Sequence, residues 1–211
     1  MPASFDFKKE YKDLYLPKTE PQRIVVPEMD FITVAGRGDP NDESGDYKKA
    51  LEILYALSYA IKMSKMGQNK IDGYFEYVVA PLEGFWWTDG SFEQFDINDK
   101  ANFYFISAIR QPVFVTDGIF EWAREEALRK KGIDASGAKF EKIDEGLCVQ
   151  CMHIGPYDDE KRTLEKIDVY IEENGLSKDL SKTRLHHEIY FGDPRKIDPS
   201  KLKTVIRIPV K

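Results

Sequence analysis

The chain has 211 residues, enough for one substantial domain or two small repeats around a shared core. Its net charge of −6, with no Lys/Arg stripe interleaved with aromatic residues, argues against direct nucleic-acid binding, which needs concentrated positive charge. No apolar run is long enough to span a bilayer, and the N-terminal residues lack the apolar core of a signal peptide. We therefore expect a cytoplasmic protein with no membrane partner.

The first half of the chain predicts an arm followed by one strand–helix–strand–strand unit. Residues 1–28 are polar and interrupted by prolines, which is typical of an arm that packs on a domain surface. Hydrophobic periodicity and turn residues then predict, in order, a strand over 29–36, a helix from Asp46 to about Met66, a strand over 74–80 and a strand over 102–110. A connecting helix over 117–131 ends at Gly132.

The second half repeats the order of elements. The pattern predicts a strand over 145–154, a helix over 158–174, a strand over 185–191 and a strand over 203–208. Asp158 or Asp159 would cap the helix, and Gly175 follows its end.

The two halves also end alike, in the sequences IRQPV (109–113) and IRIPV (206–210). A short match of this kind can recur by chance, but it agrees with the matched order of elements. The sequence predicts an α+β fold of two duplicated βαββ repeats related by a pseudo-two-fold axis, with antiparallel strands and helices covering one face. The expected boundaries are 1–28 for the arm, 29–115 for the first repeat, 116–144 for the connection and 145–211 for the second repeat.

The two cysteines have the spacing of a redox or metal motif. Cys148 and Cys151 lie in a predicted strand, however, where residues three apart point to opposite faces. We therefore interpret them as two buried thiols.

The strongest candidate for chemistry is the strand over 185–191. Alternation places His186, Glu188 and Tyr190 on one face, and His187 on the other. A carboxylate between a histidine and a tyrosine can serve as a buried acid or base, or attract a cation. A solvent-exposed Glu paired with a Lys or Arg is the equally weighted alternative. A metal site is disfavoured because adjacent histidines diverge and His153 is the only other one.

Aromatic residues are the second signal. Consecutive Trp86 and Trp87 cannot both face one core from an extended segment, so one is expected to pack and one to line a cavity. A cavity walled by rings suits planar or cationic guests, although any single ring is more often a core residue. No nucleophile elbow, phosphate loop, dinucleotide loop or metalloprotease motif is present, and no cofactor is implied.

Several segments together resemble the GyrI-like small-molecule-binding family over nearly the whole chain. The most specific are HIGPYDDE and HHEIY followed by DPR; the full set is residues 14–17, 81–87, 109–112, 145–160, 186–190, 193–195 and 202–207. The resemblance implies a duplicated, SHS2-like fold with a ligand cleft between its halves. It also implies that Glu188 occupies the position at which relatives recognise ligand with a buried glutamate. No helix-turn-helix segment precedes the domain, as in stand-alone members.

The LEGFWW and HHEIY segments further resemble a subfamily, the cyclopropanoid cyclopropyl hydrolases, which open the strained ring of DNA-alkylating compounds inside an aromatic cage. One departure is Phe105, where the pattern expects Trp. The resemblance implies that Glu188 positions or deprotonates a water, and that Tyr104 or Tyr190 donates a hydrogen bond. The expected ligand-binding residues are Trp86, Trp87, Phe105, Trp122, Tyr157 and His186. The alternative is a non-catalytic binding protein that sequesters drugs or modulates a protein partner such as DNA gyrase.

Overall fold

The computed structural model describes residues 4–67, 70–88, 92 and 99–211. In these ranges eight strands form one sheet, in the order β1-β6-β8-β7-β3-β4-β2-β5, and every neighbouring pair is antiparallel. The strands are β1 (Gln22–Val26), β2 (Met29–Arg37), β3 (Leu82–Thr88), β4 (Phe103–Arg110), β5 (Ala138–Ile143), β6 (Gly146–Ile154), β7 (His186–Phe191) and β8 (Lys203–Pro209).

Helices cover the sheet at two places and leave its middle open. The helices are α1 (Phe7–Glu10), α2 (Lys12–Tyr15), α3 (Asp46–Lys62), α4 (Asp117–Lys131) and α5 (Lys161–Glu173). Helix α3 packs on β2 and β4, and α5 packs on β6 and β8. Each buries an apolar stripe at helical spacing, Leu54, Leu57 and Ile61 on α3, and Thr163, Ile167 and Ile171 on α5. The central strands β3 and β7 therefore form the floor of a groove between the two helices.

The strand order is symmetrical about the β3–β7 boundary. On one side β3, β4 and β2 follow outward, and on the other β7, β8 and β6, with β5 and β1 added at the edges. The α+β class and the antiparallel sheet are confirmed. The symmetry is consistent with two repeats, while their origin by duplication stays a prediction.

The strand predicted over residues 74–80 is wrong. Tyr77 forms only an isolated bridge with Phe5, and the strand of the sheet is the next segment, Leu82–Thr88. The apolar, aromatic run that suggested a strand instead packs its rings in a cluster with Phe5 and Phe114. The apolar composition of residues 74–80 reflects burial of their side chains and not hydrogen-bonded pairing with a neighbouring strand.

The arm and the connection carry more structure than predicted. Residues 22–26 of the arm add β1 to the edge of β6, and residues 138–143 of the connection add β5 to β2. Both are short edge strands with one fully buried residue each, so they lack the pattern of apolar residues that identifies a strand. The helix predicted from residue 158 begins at Lys161, after a 3₁₀ turn over Tyr157–Asp159, and Glu160 is its N-cap.

Other local predictions are confirmed. Helix α4 spans 117–131 and ends at Gly132, whose φ of 67° is the left-handed conformation that glycine adopts without strain. Cys148 and Cys151 are free, buried thiols. Among the residues described, no helix has the length and apolar character to cross a membrane.

Candidate functional site

A cavity of about 820 Å³ opens between α3 and the 3₁₀ turn that precedes α5, above β3 and β7. We call it the cleft. Aromatic side chains line it beside polar and charged ones, among them Tyr47, Trp86, Phe103, Tyr157 and Tyr190. Two carboxyl groups, of Glu160 and Glu188, lie among these rings. The volume is that of a pocket for a drug-sized molecule, with a few polar groups set in an apolar wall.

A chain of hydrogen bonds fixes Glu188 at the floor of the cleft. Trp86 Nε1 donates to the Tyr190 hydroxyl at 2.8 Å, and that hydroxyl donates to Glu188 Oε2 at 2.7 Å. His186 Nε2 lies 2.7 Å from Glu188 Oε1 and donates to it in the tautomer that carries its proton on Nε2. Both carboxylate oxygens are thus held, and the side chain is 6% exposed.

The register of the sheet explains why these groups meet. Gly84 on β3 pairs with Glu188 on β7, and Trp86 and Tyr190 lie two positions away on either side. A Cβ at position 84 would lie 2.5 Å from Trp86 Nε1 and 3.1 Å from the Tyr190 hydroxyl. Only glycine lets the indole and the phenol close over the strand at this point.

Glu160 is the second carboxyl of the cleft. It is 2% exposed and is the N-cap of α5, but makes no side-chain capping hydrogen bond. Burial, followed by the negative charge of Glu188, raises the pKa of Glu160 well above its usual range. Burial and the neighbouring Glu188 thus both favour the protonated form of Glu160.

The tyrosines of the cleft are neutral donors as well. Burial, together with Glu160 and Glu188, raises the pKa of Tyr157 to about 12. Burial and Glu188 likewise raise the pKa values of Tyr47 and Tyr190. Tyr157 meets Tyr190 edge to face at 5.8 Å between ring centroids, and Tyr47 packs on Trp86 at 5.5 Å. The walls thus offer π faces and phenol hydroxyls while the charge stays on the floor.

Charged side chains surround the mouth of the cleft. Lys100 pairs with Asp158 at 2.8 Å, and Arg195 pairs with Asp193 at 2.9 Å. Lys48 pairs with Glu43 on the opposite side. These exposed pairs balance one another in charge and leave the buried carboxyls to set the polarity of the interior.

Comparison with known proteins identifies the family. The model of the GyrI-like small-molecule-binding domain matches residues 19–211. The chain belongs to the GyrI-like family. Among curated protein sequences none matches.

Solved structures agree with this assignment. A hydrolase from Listeria innocua is 46% identical, with a TM-score of 0.89, over 99% of this chain and 100% of the other. An uncharacterized conserved protein from Listeria innocua is 49% identical, with a TM-score of 0.92, over 99% and 100%. The C-terminal domain of EcmrR, at 14% identity and a TM-score of 0.52 over 91% and 97%, shares the fold alone.

The GyrI-like cleft gathers five of the residues singled out from the sequence. Trp86, Tyr157, Glu188 and Tyr190 line it, and His186 holds Glu188 from below. Between the two tryptophans the structure thus selects Trp86 as the one that lines the cleft.

Four other predicted residues lie elsewhere. Trp87 and Tyr104 stack on each other at 5.5 Å on the opposite face of the sheet, because odd and even positions of a strand diverge. Trp122, on α4, lines a separate cavity of about 480 Å³ between α3 and α4. Phe105 is fully buried behind Trp86, 5.7 Å between ring centroids, so it supports the wall without lining the cleft.

Two cleft residues, Glu160 and Tyr47, were not singled out from the sequence. Glu160 stands three residues before Thr163 and seven before Ile167, on the buried stripe of α5. A glutamate in register with a buried helix face is a signal of a functional carboxyl, because Glu is rarely buried. Tyr47, at the start of α3, gave no signal beyond its place in the apolar pattern.

A second buried polar cluster lies on the other face of the sheet. His187 Nδ1 is 2.9 Å from Glu145 Oε1, and His187 Nε2 is 3.0 Å from Glu83 Oε2. Arg207 donates to Glu145 Oε2 at 2.9 Å and to the Leu14 carbonyl at 2.8 Å. We call Glu83, Glu145, His187 and Arg207 the charge cluster.

The charge cluster balances two carboxylates with two cations. Burial alone would raise the pKa of Glu145, but the positive charges of His187 and Arg207 lower it to about 2. Burial alone would lower the pKa of His187, but Glu145 and Glu83 raise it. The Tyr15 hydroxyl donates to Glu83 at 3.0 Å, so the cluster also fastens the arm to the sheet.

Metal binding finds no support in the part of the chain that is described. No group of three or more His, Cys, Asp or Glu side chains there converges in a way that would hold an ion. His153, the third histidine, is bonded instead to Thr163 Oγ1 at 2.9 Å and to the Pro156 carbonyl at 3.0 Å.

Proposed function

We propose that this GyrI-like protein binds flat, hydrophobic xenobiotics in the cleft and hydrolyses cyclopropane-bearing DNA-alkylating agents. One observation carries the proposal: a buried carboxylate, Glu188, is held by two donors at the floor of a cavity with aromatic walls. The similarity to a Listeria innocua hydrolase at 46% identity supports the enzymatic part. The resemblance of the LEGFWW and HHEIY segments supports the substrate class.

The reaction suits such a site because it needs little covalent help from the protein. In a cyclopropane fused to a dienone, a water oxygen bonds to the exposed ring carbon and a C–C bond of the small ring breaks. The released electron pair moves into the dienone, which becomes an aromatic phenol after its oxygen takes a proton. Glu188 would accept the proton that the water loses. The aromatic walls would hold the flat substrate in line with that water.

We infer different tasks for the polar groups from the contacts that they make in the cleft. The Tyr190 proton is already donated to Glu188, so Tyr190 positions that carboxylate and does not donate to the substrate. Tyr104, the other tyrosine considered, stacks on Trp87 on the far face. We propose that Trp86, Tyr47, Phe103 and Tyr157 form the walls, and that His186 holds the second oxygen of Glu188.

The second candidate function is binding without turnover. The family is described as a small-molecule-binding domain, and a buried anion among rings is also a site for a lipophilic cation. Such a protein would sequester drugs or carry a ligand signal to a protein partner. The two functions differ in one respect: catalysis needs Glu188 next to a water, and binding needs it only next to positive charge.

The test is turnover of a duocarmycin-type compound that bears the cyclopropane, followed by mass spectrometry for addition of one water. We expect catalytic ring opening by the wild type, retained binding without turnover in Glu188→Gln, and wild-type turnover in Glu173→Gln, an exposed control on α5. Saturable binding with no water added would favour the second function. Full turnover by Glu188→Gln would remove Glu188 from the mechanism.

A further inference from the structure

Glu160 and Glu188 approach the cleft from different elements and come into contact there. Glu160 is at the start of α5, and Glu188 is on β7 at the floor. They are 2% and 6% exposed and line the same cleft, and the negative charge of Glu188 adds to burial in raising the pKa of Glu160. Two carboxylates are both acceptors, so a hydrogen bond between them requires one proton.

The contacts of each residue show where that proton resides. Both oxygens of Glu188 already receive hydrogen bonds, from His186 and Tyr190. Glu160 Oε1 is buried and has no hydrogen-bond partner among the described residues. The Thr204 hydroxyl is likewise buried and has no hydrogen-bond partner among the described residues. The proton therefore belongs to Glu160, the less solvated and less hydrogen-bonded of the two.

We propose that Glu160 and Glu188 share one exchangeable proton, and that its fate lets the cleft accept two chemical classes of ligand. A flat cation favours ionisation of both carboxyl groups and expels the proton to solvent, so that two carboxylates face the positive charge of the ligand. A flat neutral molecule with a carbonyl keeps the proton, which Glu160 then donates to the carbonyl oxygen as a hydrogen bond. This inference rests on the proposed binding function of the cleft but not on turnover.

The other groups that face the pair do not supply this proton. On β7, His186 and Tyr190 direct their hydrogen bonds at Glu188. On α3, Tyr47 is a phenol whose pKa is raised by burial and by Glu188, so it stays neutral. From the 3₁₀ turn, Asp158 adds negative charge that raises the pKa of Glu160 further, and Tyr157 is another neutral phenol.

The cations near the mouth are committed to other partners. They are Lys48 with Glu43, Lys100 with Asp158, and Arg195 with Asp193. All three pairs are exposed to solvent to a large degree and are screened by salt. A buried excess of negative charge at the floor is therefore relieved by a proton or by the ligand itself.

The experiment compares two ligands of one shape, 5-methylphenanthridinium, a permanent cation, and 5-methylphenanthridin-6-one, its neutral carbonyl analogue. Calorimetric titrations at one pH in phosphate and in Tris, whose ionisation enthalpies differ, count the protons released. We expect the cation to release up to about one proton per molecule bound, and the neutral compound to release none. Cation affinity should rise by up to about tenfold per pH unit as the pH approaches the pKa of the pair from below.

Variants separate the pair from the rest of the cleft. In Glu160→Gln one carboxylate remains without a proton to release, so the cation should bind with the same enthalpy in both buffers and with flat pH dependence. Glu173→Gln should behave as the wild type. The wild-type titration decides the matter even if a variant fails to fold.

The outcomes distinguish this inference from the proposed function. Buffer-independent enthalpy and pH-independent affinity of the cation in the wild type would overturn the shared proton and leave ligand binding intact. Binding of neither compound would overturn the binding function of the cleft, and the inference with it. Proton release that persists unchanged in Glu160→Gln would place the proton on another group.

Discussion

Replacing Gly84 by Ala tests whether the floor of the cleft depends on close approach of side chains to the strand. The new Cβ would lie 2.5 Å from Trp86 Nε1, closer than such atoms are found, and 3.1 Å from the Tyr190 hydroxyl. Both groups belong to the hydrogen-bonded chain that holds Glu188. Because Trp86 is buried and Tyr190 is hydrogen-bonded to both Trp86 and Glu188, the two side chains have to move together or become strained.

The magnitude follows from two costs. Overpacking a buried site by one methyl group destabilises a protein by about 1–3 kcal/mol. Loss of the Trp86–Tyr190 hydrogen bond would add a cost of roughly 0.5–1.5 kcal/mol. For binding, displacement of the two rings should weaken a flat ligand by about tenfold, equivalent to about 1.4 kcal/mol.

The assay is urea denaturation together with a ligand titration, both at constant ionic strength. Gly137→Ala is the matched control, because nothing lies within 4 Å of a Cβ at that exposed position. We expect a lower unfolding midpoint and weaker binding for Gly84→Ala, and neither change for the control. Wild-type affinity in a stably folded Gly84→Ala protein would refute the argument that these contacts shape the cleft.

Two further predictions concern the two faces of the sheet. His187→Gln should lower the free energy of unfolding by about 3 kcal/mol, since buried Glu83 and Glu145 lose the histidine between them and Arg207 stays paired with Glu145 alone. Because the pKa of His187 is raised in the folded state, its contribution is complete below its ordinary value of about 6.5 and is lost as the pH rises through the raised value. Denaturation across pH should show that alkaline loss in the wild type and not in the variant. Trp86→Phe should abolish quenching of tryptophan fluorescence by ligand while Trp87→Phe retains it; the reverse result would place the cleft on the other face.

The central elements of the fold could be predicted because their patterns are strong. Alternation on β7 correctly separated His186 and Glu188 from His187, and helical spacing with Gly132 gave α4 its exact end. The failures have physical causes. The run over 74–80 has strand composition but buries its aromatic rings against the arm, and the strand that pairs begins after Pro81. Edge strands β1 and β5 give a weak sequence signal because they are short and each has one fully buried residue, Val26 and Ala138.

Site residues could be predicted where they lie on a single strand. They could not be predicted where they meet through contact between separate elements. Glu188 and Tyr190 follow from a single strand, so their common face could be derived. Tyr104 and Trp87 were expected at the site but lie on the other face, because alternation along one strand does not give the register between neighbouring strands. Glu160 could not be paired with Glu188 from the sequence, since the contact depends on how α5 packs on the sheet.

Strand β7 shows how one short sequence gives the sheet two different faces. His187 points into the charge cluster, where two carboxylates meet two cations and the arm closes the surface. Its neighbours His186 and Glu188 lie on the side of the cleft, where two carboxyls meet no buried lysine or arginine among the described residues. The balanced face stabilises the strand pairing without needing a ligand. The floor of the cleft is built on that same strand, so Glu188 is held in place although its negative charge is unbalanced. A proton or a cationic ligand can then supply the positive charge that the charge cluster already contains.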